Sequence, residues 1–453
     1  MDNNSQYTIL QADVLLSGAA ESKPLDIRTN IIELKFFENL AKPYVDARML
    51  LMDDFGFKTS LQIQGVERIR LVVGTGARPE QPAFVKYFFI SRILDTQKAG
   101  DRAELLSIEL VEEHVYVNAL KSMSRSYEGA LEDIVTRIFD NDLKKEVIPP
   151  TIESSQGTRK IIVPYMSPME ASQWILSRAS TSNGAPYFIT GDLYSDKIRI
   201  RELESMMSAP VINPDLPFRK SEAIAMADIR EEFKRPYYEI NDVVEIESEN
   251  SLKLYEEGAI GSFYESIDAN SGLTTGAHIS VRDILTEMYL SGMIDNSATQ
   301  SLFDPSLEID GRLSDEYNSL FVHQVVSRNT YNQYNSYHDE AVLLDEDNNI
   351  FESKLKIKNR IMRHLMRKNR IEVRMSGMSL FRGQISPGSK IRMLFLNPNL
   401  NSSDQNIEDQ IDFRKSGDYL LTATNHTLAQ EVHSCVLRLS KLSDLPKDVR
   451  LNI

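Results

Sequence analysis

Cysteine is almost absent from this sequence of 453 residues, in which Cys435 is the single example. One cysteine excludes an intrachain disulfide and any zinc site built from several thiolates. Its neighbours in the run Ser434-Cys435-Val436-Leu437 are mostly apolar, which favours a small buried residue over a nucleophile. The sequence therefore predicts no cysteine-based site.

Long apolar runs are also missing, since no stretch approaches the roughly 18 apolar residues of a membrane helix. Residues 1–6 are polar and acidic, so we expect no secretory signal and assembly in a cytoplasm. Hydrophobic residues make up 42% and charged residues 26%, as in globular proteins. The length predicts about two to four domains.

Positive charge is in deficit, with 51 Lys and Arg against 66 Asp and Glu and a net charge of −15. Affinity for nucleic acid depends on neutralising phosphates, so chain-wide attraction to DNA is not expected. An acidic surface is compatible with a wall past which DNA slides without binding.

Catalytic and cofactor motifs are lacking as well. None of the seven histidines has His-Glu-x-x-His spacing. Gly74-Thr75-Gly76 lacks the third glycine of a dinucleotide site. His426 and His433 flank a predicted turn, where ordinary buried histidines are favoured over a metal pair. We therefore expect no enzyme activity, no cofactor and no metal.

The first 115 residues predict short antiparallel strands. Their apolar and alternating runs are separated by turn residues rich in Gly, Asp and Pro. The predicted strands cover 31–37, 44–52, 65–73, 86–93 and 103–110. Strands of this length and spacing suggest a small antiparallel barrel or sandwich.

Helical periodicity begins near residue 116. Leu131, Ile134 and Ile138 share one helical face. Ser167-Pro168-Met169-Glu170 predicts a helix start with a capping box, and Asn183-Gly184 predicts its end. Segments 186–190 and 197–201 then predict a hairpin. Residues 116–205 therefore read as an α/β unit.

The rest of the chain is again β-rich. Residues 206–225 contain three prolines and read as a linker. Short strands follow, but 280–345 is polar and mixed. Within it, the polar and aromatic stretch 331–337 predicts an ordered loop or helix. Residues 226–453 are therefore expected to form a second β domain with a mixed or helical insertion at about 280–370.

Three runs near the start of the chain resemble three runs near its end, in the same order. Residues 66–71 match 388–393, so that Ile69 corresponds to Ile391. Residues 86–91 match 418–423, pairing Tyr87 with Tyr419. Residues 105–110 match 435–440, pairing Leu110 with Ser440. We therefore expect two similar β domains in one chain, and six in a ring of three chains.

This duplicated plan resembles the central baseplate hub of contractile-tailed bacteriophages and the hub part of type VI secretion spikes. Segments 87–134, 164–188 and 416–439 carry the likeness, through loosely spaced structural patterns that are not catalytic signatures. The resemblance implies a mainly β fold with α+β insertions. It divides the chain into a tail-tube-like antiparallel β-barrel at 1–115, an α/β insertion domain at 116–205, a linker at 206–225 and a second such barrel at 226–453.

The resemblance also implies a function in the virion tail baseplate. A homotrimer would form a pseudo-sixfold ring that joins a sixfold tail tube above to a threefold piercing spike below. It would enclose the channel used in genome ejection, and DNA would pass without specific binding. Expected partners are other copies of the chain, the spike, the tail tube and, further out, tape-measure and baseplate wedge proteins.

One basic segment stands out in this acidic chain, with nine Lys and Arg residues and one Glu between 354 and 374. Ile357, Ile361 and Met362 stripe one helical face, and residues 371–375 then alternate as a strand. The segment either contacts an acidic partner or is a solvated face balanced by nearby acids. Its candidate contacts are Lys354, Lys356, Lys358, Arg360, Arg363, Arg367, Lys368 and Arg370.

Three alternatives stay open at this point. A monomeric β-barrel protein would grip a ligand in the mouth of its barrel and would have no central channel. The hub could belong to a non-phage contractile injection system. A cell-wall hydrolase is the natural enzymatic alternative, but no segment suits such a domain.

Overall fold

The computed structural model describes residues 7–444 except for several stretches. Those outside the described residues are 16–23, 61–62, 64, 66, 77, 100–102, 151–158, 215, 221–237, 246–250, 269–273, 293–307, 327–354, 356, 365, 368–369, 396–410 and 413–414. The polar and aromatic stretch 331–337 and the basic residues Lys354, Lys356 and Lys368 therefore lie outside the description.

The N-terminal part forms a β unit around one apolar core. Its elements are β1 (Tyr7–Leu15), β2 (Leu25–Asp26), a 3-10 turn (Arg28–Asn30), β3 (Ile31–Asn39), β4 (Asp46–Asp53), α1 (Phe57–Ser60), β5 (Arg68–Thr75), β6 (Arg78–Lys98) and β7 (Glu104–Val111). Alternate residues of these strands, such as Leu34, Met49 and Ile108, are buried in this core. The strand order is β3-β4-β7-β6-β5-β1-β2.

An α/β region follows. It contains α2 (Glu113–Ala119), β8 (Met123–Gly129), α3 (Leu131–Ile138), a π-helical turn (Phe139–Leu143), β9 (Val147–Ile148), β10 (Arg159–Met166), α4 (Pro168–Leu176), β11 (Tyr187–Thr190), β12 (Ile198–Glu202) and α5 (Leu203–Ser208). The predicted capping box forms, because Ser167 and Glu170 bond each other's backbone amides. The helix ends at Leu176, earlier than predicted, and residues 181–184 instead form a separate turn.

Two strands precede a mixed insertion. They are β13 (Phe218–Arg219) and β14 (Ile240–Glu245). The insertion holds α6 (Ser251–Glu256), β15 (Gly261–Asp268), β16 (Thr274–Ser280), α7 (Val281–Leu290), β17 (Glu308–Ile309), β18 (Arg312–Leu313), a 3-10 turn (Ser314–Glu316) and β19 (Leu320–Val326). Helix α7 begins with a capping box from Ser280 and Asp283 that the sequence analysis missed.

The C-terminal part completes a second β unit. Its elements are β20 (Arg370–Ser376), α8 (Met378–Gly383), β21 (Lys390–Leu394), β22 (Gly417–Ala429) and β23 (Val432–Asp444). With β14 they give the order β14-β20-β23-β22-β21, around a separate core that includes Val373, Ile391 and Leu437. The predicted fold class is confirmed, because the protein is mainly antiparallel β with an α/β region.

The duplication is visible as an equivalence of elements. The series β3-β4-α1-β5-β6-β7 and the series β14-β20-α8-β21-β22-β23 run in the same chain order and pair in the same spatial order. Two β-bulges recur at equivalent places, between Ile31 and Glu33 and again between Ile240 and Asp242 on the first strands. The other pair lies between Ile90 and Arg92 and between Leu421 and Ala423.

These bulges correct two of the three predicted matches by one residue. Ile69 does correspond to Ile391, since they face Phe88 and Tyr419 respectively. Phe88, not Tyr87, is therefore the counterpart of Tyr419. Leu110 corresponds to Leu439, because both face the residue just before the shared bulge.

Candidate assembly surfaces

The two β units meet strand to strand within the chain. Strand β3 pairs with the C-terminal half of β22 in antiparallel register, from Asn39 opposite Ala423 to Glu33 opposite Ala429. This junction merges both units into one thirteen-stranded sheet. Nothing in the local sequence pattern of either strand indicated this pairing. The junction therefore shows that two such units can join by antiparallel strand pairing.

A buried carboxylate holds the core side of this junction. Glu38 is 1% exposed and lies on β3 opposite Thr424. Its oxygens accept hydrogen bonds from the Thr424 hydroxyl at 2.7 Å and from the Leu193 amide at 3.0 Å. An unpaired carboxylate would be costly here, so these donors are needed. Glu38 therefore links both β units and the α/β region.

Two buried histidines extend this network. His426 Nε2 lies 3.4 Å from Glu38 Oε2, and His426 Nδ1 lies 3.1 Å from His433 Nε2. Burial lowers the pKa of His426, but Cys435 and Glu38 outweigh it and raise that pKa to about 10. Burial and the neighbouring His426 hold the pKa of His433 well below its usual range. Among the described residues, no three His, Cys, Asp or Glu side chains are grouped to hold a metal.

The opposite side of the junction is a polar groove of about 650 Å³. It spans strands of both units and carries charges of both signs. Its lining includes Arg48, Glu109, Glu372, Asn425 and Arg438. A surface with interspersed charges gives no strong field of one sign, so it offers no site for tight, charge-driven binding.

The α/β region is fixed to the first unit by a buried ion pair. Lys86 Nζ lies 2.8 Å from Glu112 Oε1, and both side chains are almost fully buried. Lys86 also donates to the Ser195 carbonyl at 2.9 Å, and Glu112 accepts from the Val45 amide at 2.8 Å. Burial would raise the pKa of Glu112, but the nearby cation of Lys86 keeps that pKa below its usual value. Removing only one partner of such a buried pair is strongly destabilising, because the other charge is left buried and unpaired.

Several described residues of the candidate basic segment pack inside the fold. Residues 357–364 are helical, and Ile357, Ile361 and Met362 pack into a core with α5 and α7. Lys358 is buried and forms an ion pair with Glu287. Arg370 donates from Nε to the Arg367 carbonyl at 3.0 Å.

Arg363 has a mainly structural environment. It donates to the Tyr187 carbonyl at 3.0 Å and to Asn359 Oδ1 at 2.8 Å, and its guanidinium lies 4.8 Å from the Phe188 ring centre. Burial, followed by the charge of Arg367, lowers its pKa to about 10. Among the candidate contacts that the structure describes, Arg360 and Arg367 are the exposed ones.

Comparisons with known proteins add a fold assignment. No family model matches the chain, and no curated protein matches it. A tail protein from Neisseria meningitidis superposes with a TM-score of 0.51 at 11% identity, covering 96% of this chain and 97% of its own. A prophage tail protein of 43 kDa from Shewanella oneidensis gives 0.50 at 10% identity, covering 95% and 98%.

This chain has the fold of phage tail proteins. The similarity extends over nearly the whole of both matched chains, so the tail-protein fold includes both β units and the regions between them. An Escherichia coli component of the type VI secretion system is more distant, with a TM-score of 0.44 at 8% identity over 95% of this chain and 77% of its own. In the described part of the protein, no helix is long and apolar enough to cross a membrane.

Proposed function

We propose that this chain is the central structural hub of a contractile phage-tail baseplate, acting as a homotrimer. The observation that carries the proposal is the pair of equivalent β units joined edge to edge in a chain with the fold of phage tail proteins. Three chains would provide six similar units in a closed ring. That ring would match a sixfold tail tube on one face and a threefold spike on the other.

The polar side of the sheet is the proposed channel wall. Its groove lining mixes both charge signs, and the chain carries a net charge of −15. DNA binding relies on phosphate neutralisation by concentrated Lys and Arg, which such a wall would not provide. DNA could then move past it without specific binding.

The hub would act by assembly and not by catalysis. The two matched structures are described as tail proteins, which supports a structural role in the virion tail. We propose spike and tail tube proteins as its direct partners, with tape-measure and wedge proteins further out. Arg360 and Arg367 are the residues of the basic segment proposed to meet an acidic partner.

Light scattering of the purified protein tests the proposal first. A hub predicts a mass near three times the chain mass of 51.6 kDa, and particle averaging should then show a ring with an open axis. A protein that stays monomeric in the presence of candidate spike proteins would contradict the hub. That result would favour the ligand-binding alternative.

A further inference from the structure

The junction inside the chain provides a template for a second junction. It joins β3 of the first unit to the C-terminal half of β22 in the second. By the element equivalence, β14 is the counterpart of β3, and the C-terminal half of β6 is the counterpart of that half of β22. Each chain therefore carries both strands of an equivalent junction, with β14 in the second unit and the C-terminal half of β6 in the first.

Both counterpart edges are open among the described residues, apart from a single bridge between Arg219 and Glu239, the residue just before β14. Strand β14 pairs on one side with β20, and the 92–98 half of β6 pairs on one side with β7. Val244 is 51% exposed on the first edge and Leu94 is 38% exposed on the second. Open edges with exposed apolar residues are templates for pairing with another chain.

We propose that β14 of one copy pairs with the 92–98 half of β6 in a second copy, in the antiparallel register of the internal junction. This inference rests on the trimeric hub proposed above and names the surfaces that would close it. The contact joins different edges of the two copies, so it is head-to-tail and builds a ring when the rotation closes. The partner is therefore a further copy of this chain.

The internal junction also specifies the register. Lys35 is opposite Thr427 there. The shared bulges make Val244 the counterpart of Lys35, because Val244 faces Glu372 as Lys35 faces Arg48. Strand β6 has one more bulge, between Ile93 and Asp95, that β22 lacks. With that bulge counted, Gln97 is the counterpart of Thr427, because they face Leu105 and Ser434 at equivalent places on β7 and β23. Val244 of one copy should therefore lie directly opposite Gln97 of the next.

Cysteine crosslinking tests this register. Directly opposed residues of antiparallel strands have Cα atoms about 4.5–5.5 Å apart, which suits a disulfide. The natural Cys435 is buried and should not compete. The Val244→Cys/Gln97→Cys chain should give, after mild oxidation, a species of three chain masses on a denaturing gel. A mixture of the two single variants should give dimers and nothing larger.

Two matched pairs serve as controls. Lys35→Cys/Thr427→Cys at the internal junction should crosslink within one chain and leave its mass unchanged. Val244→Cys/Tyr87→Cys should not crosslink, because Tyr87 is exposed but its strand segment already pairs with β5.

The outcomes separate this inference from the hub itself. A protein of three chain masses in solution that fails to crosslink overturns the strand pairing and leaves the hub standing. Monomers without crosslinks in the presence of candidate spike proteins overturn both. A series of crosslinked species larger than three chains supports the strand pairing and contradicts the closed trimer.

Discussion

At the scale of single residues, Glu38 has the largest consequence, because three parts of the chain meet at its carboxylate. Glu38→Gln keeps the shape but removes the charge and replaces by a donor one of the two oxygens that accept from Thr424 and Leu193. We expect a loss of roughly 1–3 kcal/mol in the free energy of unfolding, measured by urea denaturation. Glu33→Gln on the same strand is the control, and its half-exposed pair with Lys35 should cost less than about 1 kcal/mol. Equal losses for both variants would refute this role of Glu38.

His433 should make the protein sensitive to acid. Its pKa is lower in the folded state than the usual 6.5, so the unfolded chain binds the additional proton as the pH falls. Stability should therefore decrease below about pH 6.5, where the unfolded state is favoured by protonation. Unfolding midpoints measured between pH 5 and 8 should show a shallower loss for His433→Gln than for the natural protein.

If the unfolding midpoint of His433→Gln falls with pH as steeply as that of the natural protein, another group causes the loss of stability in acid. His114 is the alternative, because burial lowers its pKa in the same direction. His426 acts with the opposite sign. Its folded pKa is raised to about 10, so its contribution is complete below pH 6.5 and is lost as the pH rises towards 10.

At the scale of elements, the helical residues 357–364 combine a packing role with the proposed partner role. Arg363→Ala removes the hydrogen bond to the Tyr187 carbonyl and the contact with the Phe188 ring. We expect it to lower the free energy of unfolding by about 1–3 kcal/mol in denaturation experiments. Arg360→Glu alters an exposed side chain and should leave stability within about 0.5 kcal/mol.

The same pair of variants separates folding from assembly. Arg360→Glu should weaken co-purification with an acidic partner while its unfolding curve stays unchanged. Normal assembly by Arg360→Glu and Arg367→Glu would leave the segment with a structural role only.

Some elements were predictable from the sequence and others were not. The capping box at Ser167 and the strand β20 follow from local chemistry and local alternation, and both form as predicted. The capping box at Ser280 has the same chemistry, with Asp283 in place of Glu, and the surrounding polar composition hid it. The burial of Lys358 and the partial burial of Arg363 could not be foreseen, because their partners come from α7 and β11.

At the scale of the whole molecule, the acidic balance predicts weak interaction with DNA. The net charge is −15, and the groove at the junction mixes charge signs. Non-specific DNA binding at physiological salt typically has a Kd of roughly 10⁻⁴–10⁻⁶ M, and we expect this protein to bind more weakly than that range. Fluorescence anisotropy with a labelled duplex measures it. Micromolar binding that weakens steeply with salt would contradict a non-binding channel.

The sequence by itself determined the β-rich class, the α/β region and the order of the repeated strands, because alternation, turn residues and caps act over a few neighbouring residues. Only the tertiary structure decided the register of the repeat and the pairing of β3 with β22. Backbone hydrogen bonds join those strands across almost the whole chain and carry no residue code, and each bulge shifts the register of the repeat by one residue. The environment of Glu38 was decided in the same way, since the chain separates its donors Leu193 and Thr424 and only the fold brings them together.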